Sequence, residues 1–169
     1  MDLQLKGRSA VVTGGGGAIC GAIAKGLAAE GVGVAIWDLS REAADACAGE
    51  IKGSGGNAIA IRCDVTEKAS VDDALQETMG RFETVDILVN GAGGGRKEAT
   101  TSPELSFFDP AVEDMKRTVD LNYLSAVIPS QAVGRIYAEK RAGSSSTSLP
   151  LWVRGQSRAQ FRMPTGRPL

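Results

Sequence analysis

Apolar residues fall in short blocks along the chain, each followed by a break and then by a longer amphipathic stretch. Residues 9–13 are largely apolar and run into four glycines at 14–17, which predicts a buried strand with a tight exit. Over 18–30 the spacing of Ile19, Ile23, Leu27 and Ala28 predicts a helix with these side chains on its inner face, closed by Gly31. Residues 32–37 predict a second strand, and Ser40 an N-cap for a helix to about 52 with Glu42 in its first turn. After the loop 53–57, residues 58–62 predict a third strand. Thr66 is the expected cap of a third helix that turns Val71, Ala74, Leu75 and Met79 inward. Residues 86–89 predict a fourth strand, followed by a second glycine cluster and a long helical pattern over about 111–140.

Four short strands alternating with helices imply right-handed crossovers, hence an α/β fold with a doubly wound parallel sheet covered on both faces. The strands are apolar on both sides, as such burial requires. Ligands of these sheets bind beyond the carboxyl ends of the strands, so functional residues are expected just after residues 12, 37, 61 and 89.

Composition narrows this picture. At 169 residues, with 43% hydrophobic and 23% charged residues, the chain suits one globular domain whose core is built from Ala, Val, Ile and Leu, aromatics being only 5%. No apolar run approaches the ~20 residues of a membrane helix. The first six residues lack the basic start and apolar stretch of a secretory signal. Cys20, Cys47 and Cys63 have no zinc spacing, so reduced thiols and a cytoplasmic location are expected, with no metal site. The absence of histidine excludes a His-based triad. Net charge is -5 over residues 1–141 and +4 over 142–169, where Arg154, Arg158, Arg162 and Arg167 stand without a single acid. The chain therefore divides into a domain, 1–141, and an irregular tail, 142–169. Four spaced arginines are too weak a basic footprint for nucleic acid.

The chemistry sits where the topology puts it. Residues 13–18, Thr-Gly-Gly-Gly-Gly-Ala, close the first strand and open the first helix. Glycine there permits positive φ and close backbone approach, and a helix N-terminus offers free N–H groups to a pyrophosphate. Asp38 ends the second strand 24 residues after Gly14, where a carboxylate accepts hydrogen bonds from an adenine ribose diol and repels a 2'-phosphate. Together they predict a Rossmann-type NAD site.

Over residues 5–141 the sequence resembles the short-chain dehydrogenase/reductase family. The family's TGxxxGxG loop corresponds to residues 13–20, its Asp-Val pair after the third strand to Asp64 and Val65, its Asn-Asn-Ala-Gly element to Asn90, Gly91, Ala92 and Gly93, and the asparagine of its fourth helix to Asn122. Ala18 and Cys20 stand in place of two family glycines, and Gly91 in place of the second asparagine. The stretch from Gly93 to Asp109 resembles the branch acting on sugar acids such as mannonate or fructuronate.

The resemblance implies that Thr13, Gly14, Gly16, Gly17, Ala18 and Ile19 hold the pyrophosphate, and that Asp38 holds the ribose. Asp64 and Val65 would flank adenine. Asn90 would brace the sheet while Gly91, Ala92 and Gly93 pass close to the cofactor, and Asn122 would hold a water tied to a catalytic lysine. It further implies a small alcohol or carbonyl substrate and a homo-oligomer, whose interface would use Val119, Leu124, Val127 and Ile128.

The family's catalytic serine, tyrosine and lysine follow the fourth helix, and residues 142–169 contain no tyrosine or lysine. Tyr137 and Lys140 are spaced by three but end the fourth helix, away from the expected cofactor. The serine-rich run 144–148 is not expected to form a buried strand, which would leave residues 86–89 as an unpaired apolar edge. A one-base slip of the reading frame near Gly143 would account for the tail: TCN serine codons at 144–146 would then derive from codons for Phe, Leu, Ile or Val. Three readings follow: an NAD-dependent oxidoreductase lacking its catalytic set, a non-catalytic dinucleotide-binding fragment, and a methyltransferase sharing the glycine loop.

Overall fold

A computed structural model describes residues 3–147. Five strands form one parallel sheet in the order β3-β2-β1-β4-β5: β1 Ser9–Thr13, β2 Gly33–Asp38, β3 Asn57–Arg62, β4 Ile87–Asn90 and β5 Ser144–Thr147. The helices are α1 Ala18–Ala29, α2 Arg41–Gly53, α3 Lys68–Phe82 and α4 Val112–Lys140, with a single 3-10 turn at Lys97–Ala99.

Alternation along the strands divides the core into two layers. Ala10, Val12, Val34, Ile36, Ala58, Ala60 and Val89 pack under α1 and α2. Val11, Ala35, Trp37, Ile61 and Leu88 point the other way, against α3 and α4. Small residues on the first face let α1 and α2 lie close to the sheet. On the second face Trp37 is the largest fully buried side chain.

The helices follow the expected spans with two corrections. In α1 the fully buried residues are Cys20, Gly21, Ala24 and Ala28; of the expected inner face, Ala28 is in the core and Ile23 and Leu27 pack against it, but Ile19 is 64% exposed. Small residues can approach the sheet where isoleucine cannot. The N-cap of α3 is Glu67, one residue beyond Thr66, because Thr66 is held by Asp64: its N–H and hydroxyl both donate to Asp64 Oδ1, at 3.0 and 2.6 Å. Ser40 caps α2 as expected, its Oγ accepting from the Ala43 N–H.

The largest correction is at the end of the domain. Residues 144–147 do form a strand, and β4 is not an unpaired edge: β5 lies parallel to it in the register Ile87↔Ser144 through Asn90↔Thr147. Ladder bonds are made by the main chain, so serine suffices where the side chains need no burial, and this strand is largely exposed. The turn into β5 is local. Arg141 ends α4 at φ 54°, Gly143 lies against the Tyr137 ring where no Cβ would fit, and the Tyr137 hydroxyl donates to the Ser144 carbonyl at 3.0 Å. The remaining tail, 148–169, lies outside the described residues.

Candidate cofactor site

The order β3-β2-β1-β4-β5 reverses direction between β1 and β4, and a cavity of about 560 Å³ opens there at the carboxyl ends of the strands. Its wall combines the start of α1, the ends of β2 and β3, and the loop after β4. A volume of this size is that of a small-molecule site.

The loop after β1 shapes the floor. Gly14 has φ +64°, and a Cβ on it would stand 3.0 Å from the Ala92 backbone. Gly16 is hemmed in by Ala43 and Asp38, and its N–H donates to Asp38 Oδ2 at 2.9 Å. Gly17 is the N-cap of α1, with no side-chain cap and no acid in the first turn. The first-turn N–H groups are therefore left to an incoming anion, and Gly17, Ala18 and Ile19 line the cavity beside them. This explains why exposed Ile19 is not wasted on the core.

Asp38 is fixed from two sides: Oδ2 accepts from Gly16 and Oδ1 from the Ser40 N–H at 2.9 Å. Each oxygen retains a further lone pair, so the carboxylate is oriented without being used up. Asp64 is held through Oδ1 by Thr66, while its Oδ2 takes no partner among the described residues. Val65 is buried beside it.

The loop after β4 is tied to the first loop through Thr13, whose Oγ1 accepts from the N–H groups of Gly91 and Ala92 at 3.0 and 3.2 Å. Thr13 and Asn90 thus stand behind the cavity wall rather than in it. Asn90 Nδ2 donates to Ser130 Oγ at 2.9 Å, joining β4 to α4, and its buried Oδ1 has no partner among the described residues. The Asn122 amide grips the next stretch of the loop: Oδ1 accepts from the Gly94 N–H and Nδ2 donates to the Gly94 carbonyl, both at 3.0 Å, with a second donation to Thr118 O.

Four lining residues escape the sequence reading: Cys20, Leu39, Cys63 and Leu121. Leu39 and Leu121 adjoin Asp38 and Asn122 in sequence, which is the only signal for them. Burial raises the thiol pKa of Cys20 and Cys47 and pushes Cys63 up to about 11, which favours the neutral thiol over the nucleophilic thiolate. Among the described residues no cluster of His, Cys, Asp or Glu could hold a metal.

Tyr137 and Lys140 lie at the opposite end of the sheet. Lys140 binds Thr84 and Asp86, just before β4, and Tyr137 reaches the start of β5. Tyr137 is 15 residues along α4 from Asn122, about 22 Å at 1.5 Å per residue. Burial and the Asp86 charge raise the phenol's pKa, opposite to what a general base needs.

The sequence profile of the short chain dehydrogenases matches residues 8–145, and the chain belongs to that family of oxidoreductases. It is 37% identical over 140 residues to the uncharacterized oxidoreductase UxuB of Bacillus subtilis, covering 78% of this chain and 50% of that protein. An NAD-bound structure from Haemophilus influenza, provisionally assigned as a D-mannonate oxidoreductase, superposes with a TM-score of 0.74 at 35% identity, over 78% of this chain and 50% of that one. A 7α-hydroxysteroid dehydrogenase complexed with NADH and 7-oxo glycochenodeoxycholic acid gives 0.80 at 31% identity, over 92% and 58%. The chain spans about half the length of the curated relatives it matches. No helix among the described residues is long and apolar enough to cross a membrane.

Proposed function

We propose that the cavity binds NAD, and that the parent activity is NAD-dependent oxidoreduction of a hydroxyl or carbonyl on a sugar acid or polyol. The observation that carries the cofactor is Asp38, held by Gly16 and Ser40 at the cavity rim with lone pairs to spare. The adenine ribose would donate to this carboxylate, Asp64 Oδ2 would accept from the adenine amino group, and the open first turn of α1 would receive the pyrophosphate. Ala92 and Gly93, on the loop that Asn122 anchors through Gly94, would flank the second ribose. When bound, the cofactor supplies the hydride acceptor. The NAD-bound structure assigned to a D-mannonate oxidoreductase favours a polyhydroxylated substrate.

A second reading is non-catalytic. The chain's only tyrosines are Tyr123 and Tyr137, and Tyr137 with Lys140 faces away from the cavity, so this chain alone supplies no proton relay to a bound nicotinamide. General acid–base groups contribute about 10²–10⁴-fold, so background rates are expected from it.

Calorimetric titration with NAD, NADP and S-adenosylmethionine tests the cofactor. NAD should bind at least about tenfold more tightly than NADP, because Asp38 beside a 2'-phosphate is like-charge repulsion. Equal affinities would remove Asp38 from this role, and preference for S-adenosylmethionine would refute the reading. Turnover of NAD with a sugar acid by this chain would refute the non-catalytic reading.

A further inference from the structure

Two positions in the cavity wall depart from the family's pattern together: Cys20, in place of the last glycine of the first loop, and Gly91, in place of the second asparagine after β4. They are 71 residues apart in the chain yet in contact. A Cβ built on Gly91 falls 2.0 Å from Cys20 Sγ and 3.1 Å from the Thr13 carbonyl oxygen. Neither wall has room to retreat. The Gly91 and Ala92 N–H groups are pinned to Thr13 Oγ1, and Cys20, only 5% exposed, belongs to the core layer of Ala24 and Val89. Close-packed interiors absorb an added methyl poorly.

The geometry points to Cys20 and Gly91 as one positioning unit of the site: the side chain on α1 fills the volume that a side chain at 91 would need, and so sets the distance between the two cofactor loops. This rests on the dinucleotide reading of the cavity. A side chain at 91 is compatible with binding only when position 20 gives up its own. The cofactor's fit therefore depends on the pair and not on either residue alone.

The test compares the full chain with G91A, C20G, C20G/G91A and Cys20→Ser, by calorimetric titration with NAD and by thermal melts without ligand. G91A is expected to weaken NAD binding at least tenfold and to lower Tm, and C20G/G91A to return affinity to within threefold of the parent. Cys20→Ser, of nearly the same size, should also stay within threefold, because the role is volume and not thiol chemistry. Parent-like binding by G91A, losses that simply add in the double variant, or a Cys20→Ser loss as large as that of G91A would each overturn the proposal. If G91A fails to fold, a folded, NAD-binding C20G/G91A supports the pair, and a double variant that also fails to fold overturns it. If the parent itself does not bind NAD, the cofactor reading falls. The ligand-free melts then decide the pair: recovery of Tm in the double variant keeps it, and additive losses end it.

Discussion

Trp37 concentrates much of the packing in one side chain. It is fully buried, and its indole N–H donates to Thr78 Oγ1 at 3.0 Å, while that hydroxyl donates to the Ala74 carbonyl at 2.8 Å. Thr78→Val keeps the shape but strands a buried N–H, which costs about 1–3 kcal/mol. Urea unfolding should show that loss, with Thr78→Ser close to the parent. Asn122 is the corresponding residue on the functional side. Its amide donates to Gly94 O and Thr118 O and accepts from Gly94 N. Asn122→Asp keeps the acceptor but removes both donations, so the loop of Ala92 and Gly93 loses its anchor. NAD affinity is expected to fall about tenfold with Asn122→Asp, an effect of about 1.4 kcal/mol; an unchanged affinity in a folded variant would leave Asn122 no part in positioning that loop.

Between elements, Asp86 is the junction that joins β1, β4 and α4. Its Oδ2 accepts from the Ser9 N–H at 3.0 Å, and Oδ1 accepts from Lys140 at 3.3 Å. Burial alone would raise the carboxyl's pKa, but the Ser9 bonds and the Lys140 charge outweigh it, and the net position is below the usual 3.8. A depressed folded pKa contributes stability that is fully present above the unfolded value and is lost as pH falls through the folded one. Stability measured by denaturant melts should therefore decline below about pH 4. Asp86→Asn should flatten that acid limb while lowering stability at neutral pH; an unchanged limb would show that other carboxylates control it. The same junction guides β5, since Ser144 N–H donates to the Asp86 carbonyl at 3.0 Å.

At the scale of the whole molecule, two layers of core hold a sheet whose carboxyl edge carries the cavity. Ligand that binds only the folded state adds about 2.7 kcal/mol at a concentration of 100 Kd. For a chain of this size that is a rise of roughly 5–10 °C in Tm. A thermal scan should show such a rise with NAD and at most about half of it with the same concentration of NADP, which binds at least about tenfold more weakly. On the outer side of α4, Val112, Met115, Val119 and Tyr123 are exposed, while Leu124, Val127 and Ile128 are half-buried, Ile128 against the core layer of Trp37. Of the four residues that the resemblance assigns to an interface, Val119 is exposed and Leu124, Val127 and Ile128 are partly uncovered.

The glycine loop, Asp38, Asp64 and the stretch from Asn90 to Gly93 were legible in the chain because each lies at a strand end, and a parallel sheet with right-handed crossovers carries all such ends to one edge. Local pattern was enough for the glycine loop and Asp38, while the roles of Asp64 and of Asn90 to Gly93 came from the family resemblance. Local pattern could not place what depends on contacts across the molecule. β5 was missed because serine carries no strand signal, and its place is decided by the free ladder of β4 and by Tyr137 beside Gly143. The direction of Ile19 was missed because a helical period gives a face only to within a residue, and the nearness of the sheet selects the small residues. Asn122 meeting Gly94 and Cys20 meeting Gly91 are encounters between segments far apart in sequence, so only packing in three dimensions could bring them together.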